Sequence, residues 1–174
     1  MTAWTTPKTW AKRDVLLAAD LNTYIRDNTL HLKERVDGGM NKVIQTVTGG
    51  SYTIASGTFA DIAGGLNIAS FTPRSASSTI MIALRATFKA SVGPSDNLSI
   101  DFNIDGTRMG NATYGSFMLA VAHTSERTAV YYTKFTTLTA VTHSIKPQWR
   151  RDGGTTWTLE TLNGQSADFM VWEL

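Results

Sequence analysis

From residue 43 to the end, apolar and polar positions alternate with a period of two, the signature of strands with one face turned to a core. The segment NLSIDFNID (97–105) alternates without a fault: Leu98, Ile100, Phe102 and Ile104 face one way, and Asn97, Ser99, Asp101, Asn103 and Asp105 the other. TIMIALRATFK (79–89) behaves alike, with Ile80, Ile82, Leu84, Ala86 and Phe88 inward. KVIQTV, SYTIA and LNIASF precede these, and SFMLAVA, TAVYYTKFTTL, SIKPQW and TTWTLETL follow. The final DFMVWEL (168–174) is apolar on both faces, which suits a central strand. Asp152-Gly153, between SIKPQW and TTWTLETL, is a strong hairpin signal. About eight to ten short strands separated by Gly, Asn, Asp and Pro clusters, with no second helix long enough for a parallel crossover, predict a mainly β protein. The expected architecture is an antiparallel jelly-roll-like β-sandwich over 43–174, preceded by an extended arm and one N-terminal α-helix.

The helix occupies 14–38 in this reading, and its spacing differs from the rest of the chain. Leu21, Ile25 and Leu32 recur at intervals of four and seven, Asn28 falls in the same stripe, and Arg26, Asp27, Lys33 and Glu34 lie opposite. The start lies near Asp14 or Leu16 and the end at Gly38-Gly39, where glycine accepts the left-handed terminal conformation. A narrow seam broken by one Asn suits a short bundle between identical subunits, with Asn28 setting the register. The other destination for the same stripe is the sandwich of its own chain.

Residues 1–13, MTAWTTPKTWAKR, read as an arm. Pro7 lacks an amide donor and biases Thr6 toward extended geometry. Trp4 and Trp10 are large apolar groups on a segment too short to enclose them, so they pack either on their own body or, as aromatic anchors do, into a neighbouring polypeptide.

Composition narrows the function classes. The 174 residues, 42% hydrophobic and 17% charged, suffice for one domain with an appendage. The net charge of +2 is spread: seven Lys/Arg against five Asp/Glu in residues 1–42, nine against nine thereafter. The basic stripe of a nucleic-acid binder is missing. There is no cysteine, hence no disulfide, thiolate metal site or cysteine nucleophile. Neither a secretory signal nor an apolar run of the roughly 18–20 residues a membrane span needs is visible, so a soluble protein made in a cytoplasm, with no membrane insertion, is expected.

Motifs that carry chemistry are sparse. DFNIDG (101–106) opens like a calcium loop, but position twelve, where a bidentate acid belongs, is Ala112, and strand alternation ending in an Asp105-Gly106 turn accounts for the same residues. His31, His123 and His143 are far apart and read as lone surface histidines. No nucleophile elbow, phosphate loop or spaced carboxylate pair stands out. The expectation is a protein that is not an enzyme and uses no metal or cofactor. Trp149 and Trp157 read as cross-strand or core partners, with a sugar-stacking platform as the alternative. Tyr114, Tyr131 and Tyr132 are candidates for a ligand groove or a subunit interface.

The leader and helix, AWTTPKTWAKRDVLLAADLNTYIRDNTLHLKE, resemble the N-terminus of small virion proteins of tailed bacteriophages. The likeness falls on Trp4, Pro7, Trp10, Ala18, Ala19, Leu21, Asn22, Ile25, Arg26, Asp27, Asn28, Leu32 and Lys33. Leu17 departs from it, standing where that family often has Thr or Ser as helix cap. TFADIAGGLNIASF, LSIDFNIDGTRMG and DFMVWEL look more loosely like the strands of their trimeric, tumour-necrosis-factor-like sandwiches. The resemblance implies a homotrimer on the particle surface, made in a bacterial cytoplasm, with Trp4, Pro7 and Trp10 anchoring it and Leu21, Ile25, Asn28 and Leu32 in the trimer helix. The implied partner is the major capsid protein or another virion protein, and the short chain, without a repetitive shaft, favours a capsid decoration or head-fibre protein. A tail-fibre or baseplate adhesin that binds a host-surface glycan or protein is the other reading.

Overall fold

A computed structural model describes residues 6, 9, 18–30, 32, 41–62, 64–91, 97–120, 127–154, 156–162 and 164–174. The chain clusters into two units, Met1–Asn41 and Lys42–Leu174. Trp4, Pro7 and Trp10 lie outside the described residues, as do His31 and His123.

In the first unit the helix is not uniform. Ala18–Asp20 (α1) is α-helical, Leu21–Arg26 is a π-helix, and residues 27–30 return to the α form. A π turn closes its hydrogen bonds over five residues instead of four and so rotates every later side chain relative to a 3.6-residue pattern. The stripe counted on an unbroken helix is divided accordingly: Asn28 is buried, whereas Ile25 is 58% and Leu32 52% exposed.

The second unit is the expected antiparallel sandwich, in two six-stranded sheets. The first sheet holds β1 (Lys42–Thr48), β2 (Ser51–Ile54), β5 (Thr79–Ala90), β9 (Arg127–Thr137), β11 (Trp157–Glu160) and β12 (Ser166–Glu173). The second holds β3 (Ala60–Asp61), β4 (Ile68–Phe71), β6 (Asn97–Ile104), β7 (Thr107–Arg108), β8 (Phe117–Ala120) and β10 (His143–Asp152). Long β5 organises the first sheet: β9 runs along one side, and β12 then β11 share the other. β12 lies between β1 and β5, the central place its two apolar faces call for.

Alternation puts the inward residues of both sheets into one core. Ile80, Ile82, Leu84, Ala86 and Phe88 of β5 meet Leu98, Ile100 and Phe102 of β6, with Phe169 and Val171 of β12 and Ile145 and Trp149 of β10. Each large side chain so enclosed contributes about 1.5–3 kcal/mol through removal from water. Phe102 stacks on Tyr132 with centroids 5.1 Å apart, and Tyr132 stacks in turn on Phe117 at 5.2 Å.

Two turns with the same Asp-Gly dipeptide behave differently. Asp105 and Gly106 have φ of 51° and 86°, as a tight hairpin requires, and join the paired strands β6 and β7. Asp152-Gly153 does not close a hairpin: β10 pairs with β6, β3 and β4, whereas β11 pairs with β5 and β2, so the turn carries the chain from one sheet to the other. Trp149 and Trp157 accordingly belong to opposite sheets. Both are buried in the core, so neither offers a ring face to a sugar.

Pro147 tolerates an interior strand for a local reason. Its carbonyl accepts from Ile62 N at 3.0 Å, which places its absent N–H on the same side. There the partner changes from β4, opposite His143 and Ile145, to β3, opposite Gln148 and Trp149. The missing donor falls at that seam, where it breaks no ladder.

Candidate interaction surface

The outward residues of the first sheet form three rungs across four strands. One runs Lys42, Trp172, Met81, Phe135; the next Ile44, Met170, Ala83, Thr133; the third Thr46, Asp168, Arg85, Tyr131. Antiparallel partners share a face, so these side chains lie side by side. Tyr131 is 62% and Phe135 57% exposed, Ile44 is also exposed, and Met81, Met170 and Trp172 are half-buried. Single exposed apolar residues are ordinary, but a contiguous apolar field marks a place where something else docks. A hollow of about 450 Å³ lined by Ile44, Thr46, Arg85, Tyr131, Asp168, Met170 and Trp172 lies in this face. The Trp172 indole N–H has no acceptor among the described residues.

One charged pair interrupts the apolar field. Arg85 forms a salt bridge with Asp168 and donates to Ser166 Oγ at 3.1 Å, while Asp168 accepts from Thr46 Oγ1 at 2.7 Å. Opposite charges on adjacent strands stabilise the rung and leave the Arg85 head more than half exposed.

The outward face of the second sheet has another chemistry. Asp61 accepts from Lys146 Nζ at 2.6 Å and Gln148 Nε2 at 2.7 Å. Partial burial pushes the Asp61 carboxyl up, but these bonds and the lysine charge outweigh it and hold it below its ordinary value. Arg150 pairs with Asp152, and the Arg108 guanidinium lies 4.2 Å from the centre of the Phe59 ring. Asp101 is fully buried, accepting from Phe102 N at 2.9 Å, Gly110 N at 3.1 Å and Ser116 Oγ at 2.6 Å, with Arg108 at 3.7 Å. It thereby pins the 109–116 segment over β6, and Lys134 holds the same segment by donating to Met109 O and Ser116 Oγ, each at 3.1 Å. Asn103 Oδ1 accepts from Gly106 N at 2.9 Å. The residues that resembled the start of a calcium loop thus each bind backbone or side chains of this chain, and among the described residues no three His, Asp or Glu gather around a point that could hold a metal ion.

His143 is the residue that spacing misjudged. It is buried, not a lone surface histidine, and its Nδ1 lies 2.6 Å from Asp105 Oδ2. Its Nε2 lies 3.0 Å from the Thr139 carbonyl. Burial pushes the His143 ring down, but the bonds to Asp105 and Thr139 and the Asp105 charge more than reverse this, so it stays protonated to higher pH than an ordinary histidine. The same bond to His143, with that from Ser144 N, holds Asp105 below the usual carboxylate range despite slight burial. The pair borders an open cleft of about 500 Å³ whose walls include Ile104, Arg108, Met109, Leu138 and Thr139.

The three tyrosines separate. Tyr131 stands on the apolar outer face, Tyr132 packs inside, where burial raises its phenol above the ordinary value, and Tyr114 is exposed on the 111–115 loop. No helix among the described residues is long and apolar enough to cross a membrane.

No family model matches the chain, and no curated protein matches it in sequence. Among solved structures, the Eiger TNF of S. frugiperda is similar at 8% identity and a TM-score of 0.42, over 77% of this chain and 93% of that one. A D431N mutant VP2 protein of infectious bursal disease virus, from derived T=1 particles, is similar at 12% identity and a TM-score of 0.40, over 78% of this chain and 36% of that one. The Gx strain of the same virus gives 15% identity and a TM-score of 0.35, over 76% and 36%. These are distant likenesses in the course of the chain, and they decide nothing about what it binds.

Proposed function

We propose that the chain is a non-enzymatic structural protein of a virus particle, that it assembles as a homotrimer, and that residues 1–13 fasten it to a capsid protein as a decoration or head-fibre protein. The observation that carries this reading is the outer face of β1, β12, β5 and β9, where Ile44, Met81, Tyr131, Phe135, Met170 and Trp172 leave an apolar field uncovered. Large aromatic and Met side chains gathered at one face are the composition of interface centres. The Arg85–Asp168 pair within the field presents both signs of charge, so an identical copy can meet it without like-charge conflict. Ile25 and Leu32, exposed on the helix, provide a second apolar group of the same kind. The attachment to a tailed-phage particle rests on the resemblance of the leader and helix.

The test of attachment is a variant lacking residues 1–13. It is expected to keep the oligomeric state of the full chain and to disappear from purified particles. Incorporation at the normal level would overturn the anchoring role. Exposed Tyr114 and Met118, on the side of the second sheet, favour a second reading as a tail adhesin. Retention on heads that lack tails supports decoration; direct binding to host cells, competed by surface polysaccharide, supports the adhesin.

A further inference from the structure

We propose that His143 is a pH-dependent latch for the connection between β9 and β10, holding it while protonated and releasing it as the ring loses its proton. The donor and acceptor geometry points to it. His143 Nδ1 faces a carboxylate oxygen of Asp105 at 2.6 Å, and Nε2 faces the Thr139 carbonyl oxygen at 3.0 Å. Both partners can only accept, so both ring nitrogens must donate, and only the imidazolium carries two N–H groups. A neutral ring keeps one of the bonds and turns a lone pair toward the other oxygen. The Thr139 hydroxyl, 3.3 Å from Nε2, can then donate to that lone pair only by exchanging the carbonyl contact for a longer one.

The latch has a defined load. The 138–142 segment crosses from the first sheet to the second, since β9 and β10 belong to different sheets. Thr139 to Thr142 are exposed, Val141 among them, and Leu138 and Thr139 form part of the cleft wall. Asp105 is held in place independently: its backbone N bonds Ser144 O at 3.0 Å, and its other carboxylate oxygen takes Ser144 N at 2.8 Å. The fixed side of the latch is therefore the β6–β7 turn, and the released side is the connection. Of the elements packed on His143, that turn brings Asp105, β7 brings Arg108 to the same cleft, the connection brings uncharged Thr139, and β4 brings Phe71 as its strand partner.

The sign follows from the ring's charge. The Thr139 bond is fully present below the ordinary histidine value and is lost as pH rises through the elevated value of the folded state. The experiment is backbone NMR relaxation of the full chain across that range, alongside an NMR titration of the His143 ring. Order parameters of 139–142 are expected to fall from about 0.85 toward about 0.6, with the ring's own midpoint and above an ordinary histidine's. In His143→Gln, which cannot change charge, they should be low and independent of pH, and Asp105→Asn should move the midpoint down. Order parameters that stay level through the ring's titration in the unmodified protein, or a ring midpoint below the ordinary value, would overturn the latch without recourse to either variant.

Discussion

Between the inward residues of the first sheet stand Ile44, Met81, Tyr131, Phe135, Met170 and Trp172; between those of the second stand Asp61, Lys146, Gln148, Arg150 and Asp152. Both sets obey the same alternation, and both sheets bury their other face in one core. On the second sheet Asp61, Asp152 and Asp101 each have partners inside the chain. On the proposed reading, further copies of the chain cover the first. The contrast separates what the fold needs from what the proposed assembly uses: the core needs one phase of the alternation, and the chemistry of the other phase is free to serve a partner.

The strongest way to break the contrast is a charge placed on each face in turn. Phe135→Asp puts a carboxylate in the apolar rung beside Met81 and, at about 3–5 kcal/mol for an unpaired charge closed into an interface, is expected to leave folded single subunits. Met118→Asp, at a side chain also exposed but on the other sheet, is expected to leave the assembly unchanged. Sedimentation with circular dichroism reads both, and equal behaviour of the two variants would abolish the distinction. Gly115→Ala examines how the second face is built. Its φ is 65°, and an added Cβ would come within 2.7 Å of the Ile100 carbonyl oxygen, so a loss of about 2–3 kcal/mol in denaturant unfolding is expected, without a change in which face assembles. Lys146→Ala should do least. Its partner Asp61 is half exposed and keeps Gln148, so the loss should stay within about 0.5 kcal/mol, and a larger one would mean that the polar face contributes more to stability than its exposure allows.

Much of the sandwich was legible because period-two alternation is local. β5 and β6 lie where apolar residues recur at every second position, and β12 where both faces are apolar. What could not be read locally is which sheet a strand joins. Asp152-Gly153 has the residues of a hairpin turn, but a sheet change needs the same chain reversal, and the choice depends on distant partners: Asn97 of β6 opposite Asp152, and Ala90 of β5 opposite Trp157. His143 was missed for a related reason: its carboxylate partner is 38 positions distant and was read only as part of an Asp-Gly turn. The interaction surface did leave a trace. DFMVWEL is apolar on both faces, and its central place between β1 and β5 explains the strand's backbone pairing, but neighbours within a sheet do not cover its outer face. Met170 and Trp172 are therefore half open in the single chain. The helix pattern was read on a uniform 3.6-residue turn, and a π segment cannot be foreseen from spacing alone.

Closure of the first sheet's apolar face by further copies of the same chain is the central proposal. Sedimentation equilibrium of the unmodified protein across a wide concentration range tests it most directly. The expected mass is three times 19.0 kDa, unchanged on dilution. A species of 19.0 kDa that stays soluble at every concentration, with Tyr131 and Phe135 open to solvent, would contradict it.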